Sequence, residues 1–289
     1  MSWQAIAKKD FQDSVRSRVL WGIIVLFALL IGGIAYLVVD SGLTGANQTV
    51  AEALVTGVFG LLVLFFIPIT GLFISIKSVV RERESGTINL LLSLPHTRGD
   101  MILGKFLGRA AVMTVTIIVG FVPAIAMLLL QTELSPGVLL SFWFVTVLFG
   151  LMFVSIGVGF SALFNSETQG TVGGIVIFFG LYLWQTVTDL VLGLVDYELP
   201  NFANRFGLGQ MFQDMFGSLS PSGRGFGAPS SVLGETVRRQ NEAGEVVFQT
   251  VYPESVAFYM QNWFVFVILL LWIAVPLAVG YARFSQIDL

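Results

Sequence analysis

Residues 61–70 read LLVLFFIPIT, inside an apolar run over 53–76, and residues 77–84 then read KSVVRERE. A membrane β-barrel strand alternates apolar and polar side chains over about ten positions, and this stretch does not alternate. In hydrocarbon every backbone polar group needs an internal partner, so a continuous apolar run is helical. A helix needs about 20 such residues to cross a bilayer, which 53–76 supplies. The switch to Arg81, Glu82, Arg83 and Glu84 marks where that helix leaves the apolar phase.

The rest of the chain repeats this pattern. Of 289 residues 55% are hydrophobic and 11% charged, against roughly 25% charged in soluble domains, and the mean hydropathy is +0.85. Apolar runs near 19–39, 53–76, 110–130, 137–163, 170–195 and 259–282 predict six transmembrane helices. The expected fold is an all-α integral membrane protein, 1–289 forming a single transmembrane domain. The first 18 residues are too polar for a signal peptide, so the first apolar run is expected to remain in the protein. Proline (Pro68, Pro123, Pro276) and small-residue spacings (Gly157 to Ser161, Gly170 to Gly174) inside the runs permit kinks and close helix approach. Packing is their simplest reading.

Orientation follows from Lys and Arg. Lys8, Lys9, Arg16 and Arg18 precede the first run; Lys77, Arg81, Arg83, Arg98, Lys105 and Arg109 follow the second; Arg283 closes the last. All lie on one side of a six-span chain, and loops 40–52 and 131–136 on the other side carry none. Both termini are therefore expected in the cytoplasm, with the long segment 196–258 outside.

Three segments lie outside the spans. Residues 1–18 place Trp3, Ala7, Phe11 and Val15 at helical spacing, which suits an interfacial helix. In the cytoplasmic region 78–109, Ile88, Leu91 and Leu92 predict a short amphipathic helix over 87–94 that Pro95 ends, with Gly86 as a break before it. Its leucines need a partner: the membrane, the chain's own helices or a second protein. Thr97 and Asp100 have the spacing of a capping box that opens the next helix. Gly99 to Lys105 imitates the phosphate-loop pattern, but Phe106 stands where Ser or Thr must reach Mg²⁺, and no strand precedes it. In 196–258, Phe202, Phe206, Met211, Phe212, Met215 and Phe216 predict an amphipathic helix on the outer interface. Two β-prone runs around Asn241–Gly244 then predict a hairpin.

Several chemistries lack their residues. There is no cysteine and one histidine, His96, so neither a thiolate nor a histidine cluster exists. The charge balance offers no basic face for nucleic acid. Met211, Met215 and Met260 have the softness to ligate copper(I), though methionine on an apolar face is more commonly packing. Within the spans Asp189 is the one acidic candidate for a transport pathway, near the outer end of the fifth run. Three readings remain open on these grounds: an ATP-driven permease, a secondary transporter without an ATPase, and a membrane scaffold.

Arg81-Glu82-Arg83-Glu84-Ser85-Gly86-Thr87, then Asn89-Leu90-Leu91-Leu92-Ser93-Leu94-Pro95, then Gly104-Lys105-Phe106, resembles the type-two ABC exporter permeases. The first helix, the six spans and the closing Gly280-Tyr281-Ala282-Arg283-Phe284 extend the likeness over the whole chain. In shape the chain is similar to the permease associated with copper-site maturation of nitrous-oxide reductase, and to drug exporters. The resemblance implies two six-span subunits, identical or paralogous, in the plasma membrane, each docked on a separate cytoplasmic ATPase that binds ATP and Mg. It implies a coupling helix in 78–109, with Arg81, Glu82, Arg83, Glu84, Gly86, Thr87, Leu91 and Leu92 as ATPase-coupling residues. It implies no cofactor in this chain, and as partners the ATPase, the second permease subunit and membrane lipids, with no nucleic acid.

Overall fold

A computed structural model describes residues 2–42, 52–53, 55–84, 97–132, 134–192, 198–240 and 246–286. Gly86, Thr87, Leu91 and Leu92, and with them the expected helix over 87–94, lie outside these residues. The chain divides into two compact units, Met1–Phe178 with Leu269–Leu289, and Phe179–Ile268.

The first unit is a helical bundle. Helix α1 (Ser2–Val15) leads through Ser17 into α2 (Arg18–Asp40). A π-turn at Val55–Phe59 opens α3 (Gly60–Ser75), and a short α4 (Val80–Glu84) follows. Helix α5 (Arg98–Gln131) starts at a complete capping box, in which Thr97 accepts from the Asp100 N–H and Asp100 accepts from the Thr97 N–H, as the spacing predicted. Helix α6 (Pro136–Leu163) begins with proline at its first turn, where the missing N–H is not needed. Helices α7 (Glu167–Tyr182) and α11 (Phe264–Ser285) run from one unit into the other.

Packing in this unit is led by α5, which lies against α1, α2 and α6, and by α6 against α3. The core is apolar and aromatic: Phe27 stacks on Phe66 at 4.7 Å and meets Phe121 edge-on at 5.3 Å. Apolar side chains such as Leu29, Leu37, Ile69 and Leu270 stay more than half exposed, as lipid-facing residues do. Where α6 crosses α11 the backbones touch. A Cβ on Gly159 would fall 2.3 Å from the Pro276 carbonyl, and one on Gly280 would fall 2.6 Å from the Gly159 carbonyl. Small residues allow that approach. Beside it, Ser155 donates to the Ile273 carbonyl at 2.5 Å, in the turn that Pro276 weakens.

Among the described residues five helices are individually long and apolar enough to span a membrane. The expected fifth span, 170–195, is not one straight helix. It is α7 followed by α8 (Trp184–Leu192), bent by 57°, and it makes a sixth crossing only if the pair counts as one span. No proline causes the bend. Helix α8 is drawn onto α9 (Glu198–Asn204): Trp184 Nε1 donates to the Ala203 carbonyl at 2.6 Å, and the Thr188 hydroxyl meets Asn204 Oδ1.

The second unit corrects the reading of 202–219 as a surface helix. The stretch is split at 205–207, and α10 (Leu208–Leu219) buries Leu208, Met211, Phe212 and Met215 at i, i+3, i+4 and i+7. Its polar side is covered as well, because Gln210, Asp214 and Ser218 are also buried. Arg205 is wholly enclosed: it pairs with Asp214 at 3.0 Å, bonds the Tyr259 and Gln261 carbonyls, and lies over the Phe264 ring at 5.9 Å. Burial pushes the Arg205 pKa down, and the Asp214 carboxylate opposes that shift. Asp214 further accepts from Gln210, Ser230 and Ser231. A stripe that looked like a membrane-facing surface is the core of a small folded unit. Met211, Met215 and Met260 are buried within it. The expected hairpin is present, β1 (Glu235–Gln240) pairing antiparallel with β2 (Val246–Val251) in the register Glu235 to Val251.

Candidate functional site

The sequence-predicted charges Arg81 to Glu84 sit on α4, and the chain leading into it is gripped by small residues. The α3 helix ends at Ser75, against which Gly157 packs so closely that a Cβ there would fall 1.9 Å from Ser75 Oγ. One turn along α6, the buried Ser161 hydroxyl accepts from the Val79 and Val80 N–H groups at 2.9 and 3.0 Å. Gly170 and Gly174 of α7 border Ile76 from the other side. Both small-residue spacings seen in the sequence therefore hold one segment, 75–80.

Each of the four charges has its own direction. Arg83 donates to the Phe164 carbonyl at 2.8 Å, the Asn165 side chain at 3.2 Å and the Ala162 carbonyl at 3.2 Å, where α6 ends. Glu84 accepts from the Glu167 N–H at 2.9 Å, where α7 begins. A cation at a helix C-terminus and an anion at an N-terminus both complement the helix dipole. Consecutive residues of opposite sign thus cap consecutive helices. Glu82 turns inward to Lys105 at 2.5 Å. Arg81 is exposed and, among the described residues, has no carboxylate within ion-pair distance.

Lys105 connects α4 to α1. Its amine is 3.2 Å from Asp10, whose carboxylate also pairs with Arg109 at 2.8 Å. Asp10 and Lys105 are 5% and 6% exposed, so this is a buried cluster. It forms because α1 lies directly on α5: a Cβ on Gly104 would be 2.7 Å from Ile6 Cβ, and one on Gly108 2.9 Å from the Ala7 carbonyl. The buried face of α1 is accordingly Ile6, Asp10 and Ser14. The expected stripe of Trp3, Ala7, Phe11 and Val15 is the neighbouring, half-exposed face. Gly99 to Lys105 is the helical start of α5, with the Asp100 and Met101 N–H groups taken by Thr97, so the segment does not form a phosphate loop.

The end of α11 joins the same junction. The fully buried Phe284 ring has Arg83 and Arg98 each 5.5 Å from its centre, and Arg98 donates to the Phe284 carbonyl at 2.5 Å. Segment 77–84 is thus bonded to α5, α6 and α7, lies against the Phe284 ring of α11, and reaches α1 through Lys105. No nucleophile with an adjacent base occurs in it. Its chemistry is that of a clamp: displacing α4 breaks ion pairs and helix caps that cannot reform elsewhere.

Sequence reasoning missed Asp10, Ser161, Glu167 and Phe284 as members of this junction, and it read Lys105 as a flanking cation and part of the Gly104-Lys105-Phe106 motif, with no sign of its partners Asp10 and Glu82. The one sequence signal for the α1 contact is the spacing of Gly104 and Gly108 around Lys105. Asp189, the pathway candidate, belongs to the other unit. It is an exposed carboxylate on α8 that accepts from Asn204 Nδ2 at 2.9 Å.

Comparison with known proteins matches residues 4–289 to the model of the ABC-2 family transporter proteins. The chain is 34% identical over 185 residues to a probable ABC transporter permease protein, NosY, of Pseudomonas aeruginosa, covering 61% of this chain and 66% of that protein. It is 31% identical over 196 residues to the NosY of Stutzerimonas stutzeri, covering 65% of this chain and 68% of that one. Over 96 residues, a third of the chain and a quarter of the relative, it is 34% identical to a probable multidrug ABC transporter permease, YbhR, of Escherichia coli. The match to the Pseudomonas aeruginosa protein thus spans just under two thirds of that relative. With apolar helices throughout and a family match over nearly its whole length, this multi-pass membrane protein belongs to the ABC-2 family of transporter proteins.

Proposed function

We propose that this ABC transporter membrane subunit exports its substrate with energy from ATP hydrolysed, with Mg, on a separate cytoplasmic ATPase. It works beside a second permease subunit, a copy or a paralogue, in the plasma membrane. Both termini and the 78–109 region face the cytoplasm, a reading supported by the Lys and Arg flanking the spans.

The observation that carries this reading is the clamp on segment 77–84. Leu91 and Leu92, with Gly86 and Thr87 before them, supply the surface that docks on the ATPase. Arg81, Glu82, Arg83 and Glu84 then pass its movement to the helices they touch. A push on α4 reaches α1 and α5 through Glu82 and Lys105, and α6 and α7 through Arg83 and Glu84. Asp189 is a candidate for contact with substrate along the pathway.

The test is copurification from native membranes. The wild-type chain is expected to bring down a soluble ATPase in stoichiometric amount. Replacing Leu91 and Leu92 together by Asp is expected to release it while the chain remains inserted. A chain that retains its ATPase after this change, or that never carries one, would sink coupling through this region.

A further inference from the structure

Next to the clamp, an open cavity of about 270 Å³ lies where the α1–α2 elbow meets α3, segment 77–81 and α5. Its polar wall holds three cations, Lys77, Arg81 and Arg109, and three hydroxyls, Ser14, Ser17 and Ser78. Its other wall is apolar, with Leu20 and Ile23 from α2, Phe73 and Ile74 from α3, and Val112 from α5. Two of the cations are neutralised within the fold, Lys77 by Glu167 at 2.9 Å and Arg109 by Asp10 at 2.8 Å. The charge left over is that of Arg81.

Ser78 supplies a second, independent sign. It is 3% exposed, yet its hydroxyl makes no hydrogen bond. A buried hydroxyl left unmade costs about 1–3 kcal/mol, and such groups in folded proteins call for an explanation. A ligand oxygen in the cavity that Ser78 lines supplies one, once the side chain turns toward it. The apolar wall indicates what else that ligand carries: it continues out of the cavity along Val19 and Phe73, which are 56% and 57% exposed.

We propose that this cavity binds the phosphate headgroup of an anionic membrane lipid, with Arg81 and Ser78 as its principal partners and the acyl chains along α2 and α3. The phosphodiester carries one negative charge, matching the one uncompensated cation. Arginine suits phosphate because its fork of donors fits two oxygens at once, and basic pockets between spans on the cytoplasmic side are a known form of headgroup site. The headgroup bridges the elbow of α1 to the start of α4, so its occupancy sets how firmly the clamp is held.

The test uses the purified full chain in nanodiscs of phosphatidylcholine doped with phosphatidylglycerol, with native mass spectrometry of lipid retained after detergent extraction. Wild type is expected to retain phosphatidylglycerol selectively. Arg81→Gln is expected to weaken retention about tenfold, the loss of one charge-assisted hydrogen bond. Ser78→Ala is expected to weaken it too, while leaving thermal stability in pure phosphatidylcholine undiminished, a pairing that a purely structural hydroxyl does not produce. Arg18→Gln, an exposed cation outside the cavity, is the control. Retention equal in wild type and Arg81→Gln overturns the site, and so does an equal loss in Arg18→Gln, which marks diffuse surface attraction. A soluble arm with glycerol phosphate separates the sources. If it saturates the chain in detergent and phosphatidylglycerol does not compete, the ligand is a free phosphate ester and the lipid assignment falls.

Discussion

Asp10 is a carboxylate at 5% exposure that touches two cations, Lys105 and Arg109, from a helix that was expected to lie on the membrane surface. Removing one member of a buried ionic group leaves the others desolvated without compensation. Asp10→Ala is therefore expected to lower stability by about 3 kcal/mol, seen as a lower midpoint of thermal unfolding in detergent. Adding Arg109→Met removes the cation that only Asp10 neutralises among the described residues, and is expected to restore part of the loss. An unchanged midpoint in Asp10→Ala would show that the cluster does not hold α1. None of these pairings was legible in sequence. Glu82 and Lys105 are 23 residues apart, Arg83 and the Ala162 carbonyl 79, and Glu84 and the Glu167 N–H 83. The alternation of signs was visible, but the partner of each charge was not, because only the fold brings such distant groups together.

At the scale of elements, helix existence was the most legible feature and helix contact the least. The runs near 110–130 and 137–163 fall within α5 and α6, and the capping box at Thr97 opens α5 as its spacing predicted. The bend between α7 and α8 was not legible, since no proline marks it and Gly180 stands ahead of it in an otherwise unbroken apolar run, while the docking of α8 on α9 beyond it is a tertiary contact. The α1–α5 contact depends on glycine in the same way. Gly104→Leu places a side chain where Ile6 Cβ already lies at 2.7 Å. Overpacking of this kind costs about 1–3 kcal/mol. The expected outcome is α1 released from α5, read as protease cleavage within residues 2–15 while the spans stay intact. Resistance equal to wild type would mean that the contact is looser than the geometry states.

At the scale of the molecule, the chain is two units with different ways of staying folded. The first relies on apolar helices, glycine-mediated approach and the ionic clamp. The second carries a wholly buried ion pair, Arg205 with Asp214, in which every oxygen of the carboxylate is engaged. Asp214→Ala strands the Arg205 guanidinium in the core, a change that costs about 3–5 kcal/mol. Limited proteolysis is expected to open sites in Phe179–Ile268 while the helices of the first unit stay protected. Unchanged protection of the second unit would show that its apolar core suffices without the pair.

The amino-acid sequence by itself determined the membrane class, the number and place of the apolar runs, the hairpin, and the family to which the chain belongs. These depend on local composition and on motifs that a lipid solvent enforces residue by residue. The tertiary structure alone decided that 208–219 is a core helix and no surface one, that the fifth run bends, and that α1 closes an ion cluster with α4 and α5. A helix's apolar stripe shows that one face is to be buried but not whether lipid, a partner or its own chain will cover it. That choice is made by side chains distant in sequence, and for this protein it is made by Arg205 on one unit and by Asp10 on the other.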